Sequence, residues 1–177
     1  MKSINQYIFE ALSKDKKPDN RIDLSNAYSE LKFKEIKSLK ELKTIVNDAN
    51  INKKTGFWLF KEALEKDPDG YGAINEKPWY IKYFKVIYDN VIVGLISYSL
   101  KYEEENYSPS IHIFDIQTHP EYKGLLESYF DFAEKEGKKN KKQYVTLKCY
   151  KSSLADVYER YSYKKSSKEH NVMYKKI

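Results

Sequence analysis

Few residues in this chain combine a chemistry-bearing side chain with a useful spacing. The three histidines, His112, His119 and His170, show none of the close spacings that hold a metal ion, so no metal site is expected. Cys149 is the only cysteine. No histidine lies near it to make a nucleophile, and it reads as a buried strand thiol. Asp115 and His112 share one strand-length run. Residues three apart on a strand point to opposite faces, so only one of the two should face a common site. Tyr158 falls on an apolar helical face, where core packing competes with proton donation; the chain has 17 tyrosines. Lys123 sits at an expected helix start, where its cation would add to the free N–H groups of the first turn.

The elements that must position these residues follow from periodicity and breakers. Residues 4–12 place Ile4, Tyr7, Ile8, Ala11 and Leu12 on one helical face, and SKDKKPDN ends that helix. Residues 1–25 are therefore expected to be an appendage and 26–177 the main domain. Residues 30–36 read as a strand. Ser38 caps a helix whose stripe is Leu39, Leu42, Ile45, Val46 and Ala49, and a second helix is expected over 54–65. Residues 80–88 and 91–100 form a hairpin around Asp89–Asn90. A strand over 111–118 leads to His119–Pro120 and a helix over 121–136. A strand over 144–150 follows, then a short helix capped by Ser152 or Ser153, then an antiparallel pair from 161–165 and 171–176. Strands joined through single helices should run parallel and hairpins antiparallel. The fold class is α+β: a mixed, mostly antiparallel sheet with helices on both faces.

Composition narrows the functional classes. The 177 residues suit one domain, with 41% apolar and 33% charged residues. No apolar run approaches the ~20 residues of a membrane helix, the first residues lack a signal-peptide pattern, and a lone cysteine suits a cytoplasmic address. The net charge of +6 is carried almost wholly by lysine, since Arg21 and Arg160 are the only arginines. Lysine gives diffuse attraction to anions without the rigid forks of nucleic-acid readers, and no reader motif appears.

The order of elements, with four stretches of sequence, resembles the GNAT superfamily of acyl-CoA-dependent N-acyltransferases. FKVIYDNVIVGLISYSL is similar to the family's second and third strands, with Gly94 at the usual glycine. FDIQTHPEYKG is similar to the end of its fourth strand and the start of its cofactor loop. LLESYFDFAEKEGKKNKKQYVTLKCY matches the helix and strand that follow. LADVYERYSYKK places Tyr158 at the family tyrosine, with Ser162 and Tyr163 where the family has glycine and phenylalanine. The family loop reads roughly [RQ]-x-x-G-x-[GA]; here about six of its residues are missing, and only Gly124 remains of the glycines that let backbone N–H groups approach a pyrophosphate.

The resemblance implies transfer of an acetyl group from acetyl-CoA to an amine of a small molecule or protein, and it allows a homodimer. It assigns the thioester carbonyl to the N–H groups of Ile116, Gln117 and Thr118, the pyrophosphate to Lys123 and Gly124, and a second cofactor contact to Ser153. It makes Tyr158 the proton donor to the departing thiolate and Asp115 the proton relay for the amine. The cut-short loop implies weakened or lost cofactor binding. The alternative is a catalytically inactive chain of the same fold that serves as a binding module.

Overall fold

The computed structural model describes residues 19–48, 57, 60, 61, 81–102, 104–149 and 152–177, with only the backbone of Ser152 and Ser153. The helices expected over 4–12 and 54–65 lie outside these residues, apart from Phe57, Phe60 and Lys61. The elements are β1 (Ile22–Asp23), β2 (Lys32–Ile36), α1 (Leu39–Asn47), β3 (Ile81–Tyr88), β4 (Val91–Ser99), β5 (Ser110–Thr118), β6 (Tyr122–Lys123), α2 (Leu126–Lys139), β7 (Tyr144–Lys148), α3 (Ser152–Glu159), β8 (Lys164–Lys165) and β9 (Val172–Lys176).

Seven strands form one sheet in the order β2-β3-β4-β5-β7-β9-β8. Only the β5–β7 neighbours run parallel, joined through α2; the other pairs are antiparallel. The turn residues Asp89 and Asn90 take positive φ angles of 45° and 62°. This is the backbone a two-residue hairpin needs to match strand twist. Ser38 caps α1, its hydroxyl accepting from Glu41 N at 3.1 Å. The strand expected from residue 30 begins at Lys32, because residues 28–30 make a 3-10 turn.

Two apolar clusters cover the two faces of the sheet. One packs α2 and α3 against β4, β5 and β7, with Ile96, Ile113, Tyr129, Phe130, Val145, Leu147, Leu154 and Tyr158 buried. The other packs α1, Phe57 and Phe60 against Tyr83 and Leu95. Gly94 lets the first layer approach closely: Tyr129 lays its hydroxyl against the glycine and donates to Gln117 O at 2.9 Å.

Two residues of the LADVYERYSYKK stretch have visible consequences. Ser162 takes the left-handed conformation (φ 68°) that suits glycine. Tyr163 is 1% exposed, and its hydroxyl has no hydrogen-bond partner among the described residues.

Residues 22–25 are stitched into the body. β1 pairs in parallel with β6, and Leu24 is buried in the main cluster. The boundary expected at residue 25 falls inside this contact. The same pairing corrects the expected start of α2. Tyr122–Lys123 are held extended against β1, Gly124 turns with φ +83°, and the helix begins at Leu126.

Candidate functional site

The site is built around the one place where the sheet comes apart. β5 and β7 share four residue pairs, from Ser110↔Tyr144 to Ile113↔Leu147. Beyond Ile113, β5 continues to Thr118 and pairs only with β4 among the described residues. The two parallel strands therefore diverge, and the second half of β5 presents an open edge. His119 N donates to Val93 O at 2.9 Å, which fixes the phase of the β4–β5 ladder. By alternation, Asp115 and Gln117 turn their backbone groups toward β4, and Ile116 and Thr118 turn theirs into the gap. Of the three residues expected to offer N–H groups, Gln117 thus spends its own on the ladder. Its carbonyl also accepts the Tyr129 hydroxyl.

A bulge places the acid and the imidazole. The β4–β5 register steps from Ser97↔Asp115 to Tyr98↔Ile113, so Phe114 is the extra residue. The expectation that Asp115 and His112 point to opposite faces is thereby overturned. His112 lies opposite Ser99 and Asp115 opposite Ser97, and these two serines share a face. The inserted residue shifts the alternation by one. Asp115 sits 3.5 Å from the Ser97 hydroxyl. It faces away from the α2–α3 layer that holds Tyr158.

Tyr158 lies in that layer, 5% exposed, with Phe130 meeting its ring edge-on at 5.8 Å between centroids. Burial, and secondarily Cys149, push its phenol above the usual range. Among the described residues its hydroxyl has no hydrogen-bond partner. Ser153 lies within α3 itself and not before it as a cap.

Beside the gap, on the face of Asp115, is a polar cluster that spacing alone could not reveal. His112 is 2% exposed. Its Nδ1 lies 2.9 Å from Thr146 Oγ1 and 3.7 Å from Glu104 Oε1. Burial, reinforced by Lys148, lowers its pKa to about 3, so the ring is neutral. Tyr102 and Phe114 flank it at 4.5 and 4.9 Å between centroids, and Lys148 Nζ reaches the Tyr102 hydroxyl at 3.1 Å. Glu104 and Glu169 face one another. Burial, and then Glu169, hold the Glu104 carboxyl above its usual range, with Lys148 opposing. Burial would raise Glu169 too. Two bonds from Asn106, at 2.7 Å each, and one from Glu104 outweigh it, and Glu169 ends below its usual range. Glu104 Oε1 and Glu169 Oε2 are both buried without a hydrogen-bond partner among the described residues.

This pairing sets a pH dependence with opposite signs for its two members. A raised Glu104 contributes stability that is present below its unfolded pKa and lost as pH rises through its folded value. A lowered Glu169 contributes stability that is lost as pH falls through its folded value. Glu104→Gln keeps an N–H donor and removes the titration. Melting curves from pH 5 to 8 should show the variant gaining on the wild type by a few degrees as pH rises; ~1 kcal/mol is worth about 2–4 °C at this chain length. Parallel curves would show that folding does not raise the Glu104 carboxyl.

The turn after β5 is the expected phosphate end. Glu121 N donates to His119 Nδ1 at 3.3 Å and Tyr122 N to His119 O at 2.9 Å. Lys123 Nζ is taken by Asp19 at 3.1 Å and Asp23 at 3.6 Å. No group of three or more histidine, cysteine or acidic side chains is placed to hold a metal among the described residues. No helix of theirs is long and apolar enough to cross a membrane.

No family profile matches the sequence, and neither does the sequence of any curated protein. Solved structures do match the fold. The PaiA N-acetyltransferase of Thermoplasma acidophilum, determined with coenzyme A, superposes with a TM-score of 0.57 at 16% identity, covering 83% of this chain and 99% of that one. Campylobacter jejuni PseH, an N-acetyltransferase determined with acetyl coenzyme A, gives 0.52 at 18% identity, covering 82% and 98%. The spermidine N-acetyltransferase of Vibrio cholerae, determined with CoA and spermine, gives 0.52 at 15%, covering 84% and 96%. The mostly antiparallel sheet with its helices is thus the fold of these N-acetyltransferases, and this chain has the GNAT fold.

Proposed function

We propose that the chain is an acyl-CoA-dependent N-acyltransferase that acetylates an amine on a small molecule or protein. The observation that carries this reading is the gap between β5 and β7, which ends a parallel ladder after four pairs and leaves backbone edges open on β5. Acetyl-CoA, when bound, supplies an activated thioester. Ile116 and Thr118 are the residues whose N–H groups face the gap and could hold a carbonyl oxygen as charge develops on it. Tyr158, on α3 and packed against Phe130, is the residue assigned to the leaving thiolate. Its buried phenol keeps its proton at neutral pH and is the donor for a leaving thiolate, whose own basicity also rises away from water. Asp115 stands on the opposite face, so amine and thiolate would meet the gap from different sides. There Asp115 takes the amine proton, directly or through Ser97.

The fit to a nucleotide-bearing cofactor is incomplete. The gap suits the thioester end, whereas the turn at 119–124 spends N–H groups internally and commits its lysine to two aspartates. That observation favours a second reading, a binding module that kept the fold and lost the reaction. A ligand that binds only the folded state raises the melting temperature. Under the first reading, millimolar acetyl-CoA raises it and an amine panel then releases free thiol. An unchanged melting temperature and no thiol release would leave the second reading standing.

A further inference from the structure

Under the acyl-transfer reading the turn at 119–124 takes the anionic end of the thioester, and residues 19–25 lie on that turn and carry anions themselves. Asp19 Oδ2 lies 3.1 Å and Asp23 Oδ2 3.6 Å from Lys123 Nζ. Arg21 holds Asp19 in place with two bonds of 2.8 and 2.9 Å. Ile22 N donates to Glu121 O and Leu24 N to Lys123 O, each at 2.9 Å, so the segment also pairs with the backbone of the turn. It fits closely: a Cβ on Gly124 would lie 2.7 Å from Asp23 Oδ1 and 2.6 Å from Ser25 N. The space that Gly124 keeps open is filled by an aspartate of the same chain.

We propose that residues 19–25 are a built-in competitor for a nucleotide pyrophosphate at the 119–124 turn. Asp19 and Asp23 occupy the lysine that would meet the phosphates, and β1 covers the turn. A thioester that carries a nucleotide binds fully only when this segment lifts, whereas one without a nucleotide enters the gap unhindered. The outer part of the segment, residues 19–23, is suited to lifting while Leu24 stays anchored in the core. β1 is two residues long, Ile22 is 52% exposed, and the ion pairs are partly solvated. Such pairs contribute little to stability and are screened by salt. The inference rests on the acyl-transfer reading above.

The test compares two ligands on the full chain: acetyl-CoA, and S-acetylpantetheine, which has the thioester arm without phosphates. Two variants loosen the segment by different means. Asp19→Asn with Asp23→Asn removes its charges, and Ile22→Pro removes the N–H given to Glu121. A control, Glu105→Gln with Glu159→Gln, removes the same charge from exposed positions elsewhere. Calorimetry should show acetyl-CoA binding both loosened variants at least tenfold tighter than wild type, with acetylpantetheine and the control unchanged. If acetylpantetheine binds but acetyl-CoA gains nothing in either variant, or gains as much in the control, the competitor proposal is overturned and acyl transfer stands. If neither thioester binds any of the proteins, the acyl-transfer reading fails and takes the competitor with it.

Discussion

Tyr158→Phe will lower acetyl-transfer turnover by about a hundredfold or more, the range expected for loss of a positioned proton donor. It will leave the melting temperature within about 2 °C of wild type. The two halves of this expectation have one cause. No hydrogen bond among the described residues ends on the Tyr158 hydroxyl, so removing it strands none of their donors or acceptors. The ring keeps its edge contact with Phe130. What disappears is a proton that burial holds in place well above the usual phenol range. Because the hydroxyl acts only as the thiolate leaves, kcat should fall with little change in KM for the thioester. A variant turning over within threefold of wild type would return Tyr158 to the core, as one more packed tyrosine.

Gly94→Ala should cost stability and not chemistry, by about 3 kcal/mol. A Cβ at this position would lie 1.8 Å from the Tyr129 hydroxyl oxygen and 2.9 Å from its Cζ. Tyr129 is fully buried, so the ring cannot swing out to solvent. Overpacking of this kind costs ~1–3 kcal/mol. Moving the hydroxyl also breaks its bond to Gln117 O, and a buried group left unpaired adds ~1–3 kcal/mol. The melting temperature should drop by about 6–12 °C. Removing the hydroxyl in the same chain with Tyr129→Phe relieves the shortest contact. The double variant should therefore be more stable than the sum of the two single changes. A drop of under about 2 °C for Gly94→Ala alone would mean the layer yields far more readily than its packing suggests.

The sequence showed much of this architecture where the cause was local. Asp89–Asn90 announced a hairpin because those residues tolerate positive φ, and Ser38 announced a helix because its hydroxyl can take a first-turn N–H. The strand–helix–strand run over 111–150 implied a parallel pair. The features that escaped are made by partners distant in sequence. Nothing in Ile22–Asp23 names Tyr122–Lys123, yet that pairing delays the helix to Leu126 and brings Lys123 to Asp19 and Asp23. The extra residue at Phe114 exists only as a register step against β4, so counting along β5 put Asp115 and His112 on opposite faces. Glu104 and Glu169 lie in different loops, and only the folded sheet makes them a pair.

The short run of pairs between β5 and β7 has a mechanical meaning. The sheet is two plates, β2 to β5 and β7 with β9 and β8, bound along one spine of four rungs. Rotation about that spine would open or close the free margins of the plates like the covers of a book, and no rung need break. Amide exchange should follow this picture, slow at the ladder between Ser110–Ile113 and Tyr144–Leu147 and faster at Ile116 and Thr118.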